Sequence, residues 1–214
     1  MNIDIYKIIK SRILSLEYTP GSILNEKVLA NEFGVSRTPL RNVLNQLESD
    51  KLIRVIPRTG ILVAEIQFEQ IMNTFQVRLG IEEMIGSLAA ENITDEHCQL
   101  LSKLHSECEK LFLVKDKSLL MSIDREMRAI LNDCTNNPVL RDISESLYDH
   151  TVRLWCVVLE KGGWEEEVQS LMDDIDQTLE VLNSEKSKLG ELRRELLIQH
   201  IERIRTKFLG AIYK

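Results

Sequence analysis

No apolar run in the 214 residues approaches the roughly 18 consecutive positions a membrane-spanning helix requires, so no transmembrane segment is expected. The opening MNIDIYKIIK lacks the basic segment, continuous apolar stretch and small-residue cleavage site of a secretion signal, so a cytoplasmic protein is expected. Cysteine is scarce. Cys98, Cys108, Cys134 and Cys156 lie 10, 26 and 22 residues apart, which suits neither a zinc knuckle nor a CxxC redox pair, and reduced, mostly buried thiols are expected. Nine Gly and four Pro are too few for collagen, and 43% hydrophobic with 29% charged residues is the make-up of one or two ordinary cores. No P-loop, HExxH, Ser-His-Asp or Cys-His arrangement is found, so an enzyme is not expected.

The formal charge of −7 hides a division along the chain. Up to Glu65, nine Lys and Arg face seven acids; from Ile66 onward, eighteen face twenty-seven. A mildly basic head on an acidic body lets the head approach phosphates while the body resists unspecific adhesion to them.

Within the head, Ile3, Tyr6, Ile9, Ile13 and Leu16 recur at helical spacing up to the turn Thr19-Pro20-Gly21. A second helix is expected from Glu26 to Phe33, with Asn25 as N-cap, Val28, Leu29 and Phe33 inward, and Gly34 as the left-handed terminator. Ser36 then caps a third helix whose inner stripe is Leu40, Val43, Leu44 and Leu47. Its outer side presents Thr38, Arg41, Asn42 and Asn45, with no carboxylate before Glu48. Two helices joined by a tight turn form a helix-turn-helix whose second helix can enter a major groove, its N-terminal N–H groups facing phosphate. Leu52–Ile56 and Ile61–Ile66 read as two strands, closed into a hairpin by Pro57-Arg58-Thr59-Gly60 with a cation at the tip. Helix, helix-turn-helix and hairpin together make a winged helix.

No flexible linker follows, and no strand pattern is found after Ile66. Helices are expected from Phe68 to Glu91, from Thr94 through Leu100, Leu101, Leu104, Cys108, Leu111 and Phe112, and from Lys117 to Cys134. Three more are expected from Pro138 to Glu160, Glu165 to Leu182 and Gly190 to Ala211. The expected fold is therefore mainly α: a winged helix-turn-helix domain over 1–66 and an all-α bundle of about six helices over 67–214.

The stretch TPGSILNEKVLANEFGVSRTPLRNVLNQLESDKLIRVIPRTGILVAEI resembles the DNA-binding domain of the GntR transcription regulators along nearly its whole length. The resemblance implies that Lys27, Arg37 and Arg41 contact phosphates and guanine edges. It further implies that Ser36 and Thr38 contact the backbone and that Gly60 lies at a wing tip in the minor groove. Asn42 shares the outer side of the same helix, and Arg58 supplies the tip cation. The family's wing commonly has its arginine directly before the glycine; here Thr59 stands there and Arg58 one position earlier.

The segments RLGIE around Arg78 and Glu82, DREMR from Asp124, NNPVL at Asn136 and QHI at His200 resemble the FCD-type effector domain of the FadR-like branch. Many members of that branch hold a divalent metal with an Asp and three His, the first two written DxxxH, and a small carboxylate ligand on the metal. Asp124 and His200 match two of these positions, but Arg128 replaces the DxxxH histidine and Thr151–Gln199 contains no His. No metal cofactor, zinc included, is therefore expected. His97, His105 and His150 read as surface or helix-edge residues.

Two readings of the polar groups in the bundle stand. Arg78, Asp124, Arg128, Arg193 and His200 can hold a carboxylate-bearing effector directly through guanidinium groups. Alternatively they are internal ion pairs, Asp124 with Arg128 and Arg78 with Glu82, the reading preferred for the second pair. Tyr148, Val152, Trp155 and Leu159 form either a dimer surface or core. The expected function is a homodimeric regulator, a repressor by analogy with most of the family, that binds operator DNA and responds to a small effector such as an organic or sugar acid. The alternative is a helical partner-binding or structural protein without specific DNA binding.

Overall fold

The computed structural model describes the backbone of residues 4–212 and the side chains of residues 4–208. Contacts group the chain into two compact units: residues 1–71 with 149–157, and residues 72–148 with 158–214.

The first unit begins with α1 (Ile5–Leu14), capped by Asp4, whose side chain accepts from Lys7 N at 3.1 Å. Ile3, expected on this helix, lies outside the described residues. Ile9, Ile13 and Leu14 bury the inner stripe. Helix α2 (Glu26–Phe33) follows the expected bounds: Asn25 accepts from Lys27 N and Val28 N, and Gly34 ends it at φ 64°. Leu29 is buried and Phe33 half-buried, but Val28 is 61% exposed, a correction to the expected inner face. Val28 immediately precedes Leu29, and at 100° per residue the stripe of Leu29 and Ala30 leaves it outside. Helix α3 (Arg37–Ser49) buries Leu40, Leu44 and Leu47.

Three short antiparallel strands complete this unit in the order β1-β3-β2: β1 (Ile23–Leu24), β2 (Ile53–Ile56) and β3 (Gly60–Val63). The hairpin register pairs Ile53 with Val63 and Val55 with Ile61. Strand β1 was not foreseen, and the second hairpin strand is shorter than expected. Its ladder ends at Val63 because the partner strand begins at Ile53. Gly60 makes the third strand possible. At φ 140°, a Cβ there would stand 2.8 Å from both Leu24 O and the Ile23 side chain. The segment 149–157 joins this unit through an ion pair of Lys10 with Asp149 at 2.5 Å and through Arg153, which donates to the Ala64 carbonyl.

Among the described residues six further α-helices follow, α4 (Phe68–Asn92), α5 (Asp95–Glu109), α6 (Lys117–Cys134), α7 (Pro138–Glu160), α8 (Trp164–Ser184) and α9 (Leu189–Ile212), with 3-10 turns before α6 and α9. Their caps follow from sequence: Asp116 accepts from Leu119 N at 3.0 Å, and Asn137 accepts from Leu140 N at 3.1 Å just before Pro138. Helix α5 stops before Leu111 and Phe112, which occupy a 3-10 turn (Lys110–Phe112); Leu111 is buried, whereas Leu100 and Phe112 are exposed, contrary to expectation. Tyr148, Val152, Trp155 and Leu159 are each buried. The four cysteines are free thiols, three buried and Cys98 half-buried. Among the described residues no helix is long and apolar enough to cross a membrane.

Helices α4 and α9 meet backbone to backbone. A Cβ at Gly86 would lie 2.6 Å from Leu189 O, and one at Gly190 would lie 2.7 Å from Glu83 O. This close approach brings Arg193, less than a turn beyond Gly190, against Glu82, one turn before Gly86.

Candidate functional site

Two groups of side chains carry chemistry, one in each unit. On α3, Thr38, Arg41, Asn42 and Asn45 are exposed, as are Ser36 and Arg37 at its start. Ser36 occupies the cap position with extended backbone but makes no side-chain cap bond, which leaves its hydroxyl available. Lys27 on α2 and Arg58 in the hairpin are exposed, and among the described residues Lys27, Arg37 and Arg58 make no ion pair. Arg58 forms the loop at φ 64°. Gly60 is placed in the sheet beside β1, with Pro57, Arg58 and Thr59 at the tip.

The outer side of α3 is not free of carboxylate in space. Glu26, at the start of α2, accepts from Arg41 Nε at 2.9 Å. Sequence reading missed this pair because its members lie 15 residues apart on different helices. Glu48, at the far end of α3, turns instead to Val55 N at 2.7 Å and ties the helix to β2.

In the bundle, three arginines converge on one carboxylate. Glu82 Oε1 accepts from Arg128 Nη2 at 2.6 Å and from Arg78 Nη2 at 3.2 Å, and Oε2 accepts from Arg193 Nη2 at 3.5 Å. Glu82, Arg78 and Arg193 are buried. Burial pushes the Glu82 carboxyl up, but Arg128, Arg193 and Arg78 together outweigh it and hold the group well below the usual carboxylate range. Burial and the neighbouring Arg128 lower Arg78 to about 10, which still leaves it charged at neutral pH. Burial also disfavours the Arg128 cation, yet Glu82 and Asp124 more than compensate. The ring of Tyr148 lies beneath these charges, its centroid 4.8 Å from the Arg128 guanidinium carbon and 5.7 Å from that of Arg78.

Of the two readings made from sequence, Arg78 does pair with Glu82, whereas Arg128 forms its ion pair with Glu82 and not with Asp124. Glu82 is thus the hub, and only its spacing from Arg78 was visible beforehand. The cluster is also rich in cations. Arg193 is buried, and its Nε and Nη1 have no hydrogen-bond acceptor among the described residues. His200 lies beside Phe75, with ring centroids 6.2 Å apart. Burial, then Arg203, Arg78 and Arg128, push its imidazole well below the ordinary value, so the ring is neutral.

The residues present do not fit a divalent ion. Asp124 and His200 remain, but the DxxxH histidine position holds the guanidinium of Arg128, already bound to Glu82. Among the described residues no three His, Cys, Asp or Glu side chains gather into a possible ligand set. Two of the other three histidines are engaged elsewhere: His97 completes the capping box of α5 with Thr94, and His105 pairs with Asp176 at 3.3 Å.

Comparison with known proteins agrees with this geometry. The profile of bacterial regulatory proteins of the gntR family matches residues 3–63, and that of the FCD domain matches residues 73–203. The uncharacterised HTH-type transcriptional regulator YdhC of Bacillus subtilis is 25% identical over 69% of this chain and 66% of its own length. The HTH-type transcriptional repressor RspR of Escherichia coli is 25% identical over 95% of this chain and 87% of its own. Among solved structures, E. coli McbR/YncC superposes with a TM-score of 0.85 at 22% identity, covering 96% of this chain and 97% of that one, a likeness of fold. With α3 exposed along its outer side in one unit and a matched helical bundle in the other, the chain belongs to the GntR family, carries an FCD domain, and is a transcriptional regulator and not an enzyme.

Proposed function

We propose that this regulator is a cytoplasmic, homodimeric repressor that binds a near-palindromic operator, with α3 in the major groove. Arg41 and Asn42 read base edges, Lys27, Ser36, Arg37 and Thr38 hold the phosphate backbone, and Arg58, with Gly60 behind it, carries the wing to the minor groove. The observation that carries this reading is the exposed outer side of α3 with unpaired cations around it. Repression is supported by the similarity to RspR, a transcriptional repressor.

The bundle, on this proposal, takes a small organic or sugar acid without a metal. Arg193 supplies two buried nitrogens that lack an acceptor, and Arg78, Arg128 and His200 surround the same carboxylate hub, with Asp124 at its edge. Buried donors of this kind are ordinarily satisfied by an anion or by ordered water. For the ligand to act, it must bind the DNA-competent and DNA-released arrangements with different affinity.

The test is a mobility-shift titration of the full chain against duplex DNA from upstream of its own gene, at two salt concentrations, with and without a panel of organic and sugar acids and with EDTA present. Specific, salt-dependent binding that one acid weakens despite the chelator supports the proposal. Equal affinity for scrambled DNA overturns it. A response that requires added divalent ion overturns the metal-free part.

A further inference from the structure

We propose that Glu26 is a positioning residue for base recognition: its carboxylate holds Arg41 by Nε so that both terminal nitrogens are presented together to a guanine edge. The inference rests on the reading of Arg41 as a base-contacting residue, and it gives a role to an acid set beside the side of α3 that is to face DNA. A carboxylate beside the outer side of α3 repels phosphate. The positive end of α2 favours an acid in its first turn, and Glu26 uses that position to hold Arg41, whose side chain is 65% exposed.

Both ends of the pair are anchored. Glu26 is the first residue of α2, a turn fixed by Asn25, which accepts from Lys27 N at 2.8 Å and Val28 N at 3.2 Å. Arg41 lies one turn into α3, whose inner stripe is buried through Leu40 and Leu44. The hydrogen bond uses Nε alone, and Nη1 and Nη2 have no partner among the described residues. Guanine offers O6 and N7 side by side, and a guanidinium meets both only when its plane and reach are set. Among the described residues Lys27 and Arg37 have no such acid partner, in keeping with phosphate contacts that tolerate a mobile cation.

The sign of the effect separates this role from a plain surface charge. Full-length wild-type protein selects its preferred duplex from a randomised pool. Anisotropy titrations then compare that duplex with one in which the guanine pair that depends on Arg41 is replaced by an A·T pair. Glu26→Ala is expected to lose about tenfold in this discrimination, within the range of one bidentate base contact. Glu26→Gln, which keeps an acceptor for Nε but removes the charge, is expected to retain discrimination and to bind both duplexes more tightly. In an Arg41→Ala background, Glu26→Ala should change discrimination no further.

If Glu26→Ala binds both duplexes more tightly with an unchanged ratio, Glu26 is only a repelling charge and the proposal is overturned. An equal loss in the Arg41→Ala background overturns it as well. Should Arg41→Ala alone leave discrimination intact, the reading of Arg41 fails, an outcome distinct from the first. Helical content by circular dichroism checks that each variant is folded.

Discussion

Arg128 Nη2 lies 2.6 Å from Glu82 Oε1, so a cation on α6 that sequence pairs with its neighbour Asp124 is neutralised by α4. Arg78 and Arg193 share the same carboxylate, and one anion therefore holds three guanidinium groups from three helices. In this bundle a residue from α4 does the balancing, and the position that a DxxxH pattern would give to an imidazole is filled by an engaged cation.

Glu82→Gln leaves those guanidinium groups without their common counter-charge. Removing one partner of a buried ion pair costs about 3–5 kcal/mol, because the remaining charge stays desolvated. Urea denaturation of the variant should show a correspondingly lower midpoint. A loss below about 1 kcal/mol would mean that Asp124 or solvent balances the arginines instead.

Asp174 gives a pH dependence of definite sign. Burial raises its carboxyl to about 7 despite Arg193 and Arg203 nearby. A carboxyl that keeps its proton more tightly when folded gives the native state the greater proton uptake between about pH 4 and 7, so stability falls as pH rises through that window. Asp174→Asn removes the penalty. Its thermal midpoint should exceed that of the wild type at pH 8 and converge with it near pH 4; parallel curves would contradict the assignment.

The hairpin separates a structural role from a binding role. Gly60→Ala places a Cβ 2.8 Å from Leu24 O at φ 140°, and strain of this kind costs about 1–3 kcal/mol. Arg58→Ala, at an exposed tip, should leave stability unchanged and weaken DNA binding. The comparison is read from urea midpoints and anisotropy titrations of the two variants. If Arg58→Ala binds as the wild type does, the wing makes no contact with DNA through this residue.

Metal content is a direct check on the bundle. Protein purified without chelator is expected to carry no stoichiometric divalent ion by elemental analysis, and EDTA should leave its thermal midpoint unmoved. One ion per chain would show that Asp124 and His200 recruit further ligands when metal is present.

Much of this was legible because local patterns carried it. Helices α6 and α7 have the bounds read from sequence: apolar spacing and the breaks at Asn136-Asn137 and Gly162-Gly163 fix them, with Asn137 and Pro138 marking the start of α7. Asn25 and Gly34 delimit α2 in the same way. What was not legible depends on distance along the chain or on too few residues. Strand β1 is two residues long and has no periodicity to detect; it exists because Gly60 admits its backbone. Glu82 and Arg193 are 111 residues apart, and no spacing rule links them. Glu26 escaped notice because an acid at the start of one helix gives no sign that it faces the outer side of the next.

Base reading by the outer side of α3 stands or falls with the Arg41→Ala variant. Anisotropy titrations of the full chain should compare the preferred duplex with a scrambled one at two salt concentrations. If α3 reads bases, the variant loses about 1–3 kcal/mol on the preferred duplex while its weak binding to scrambled DNA barely changes. Unchanged affinity for the preferred duplex, or a wild type that binds both duplexes alike, would contradict it.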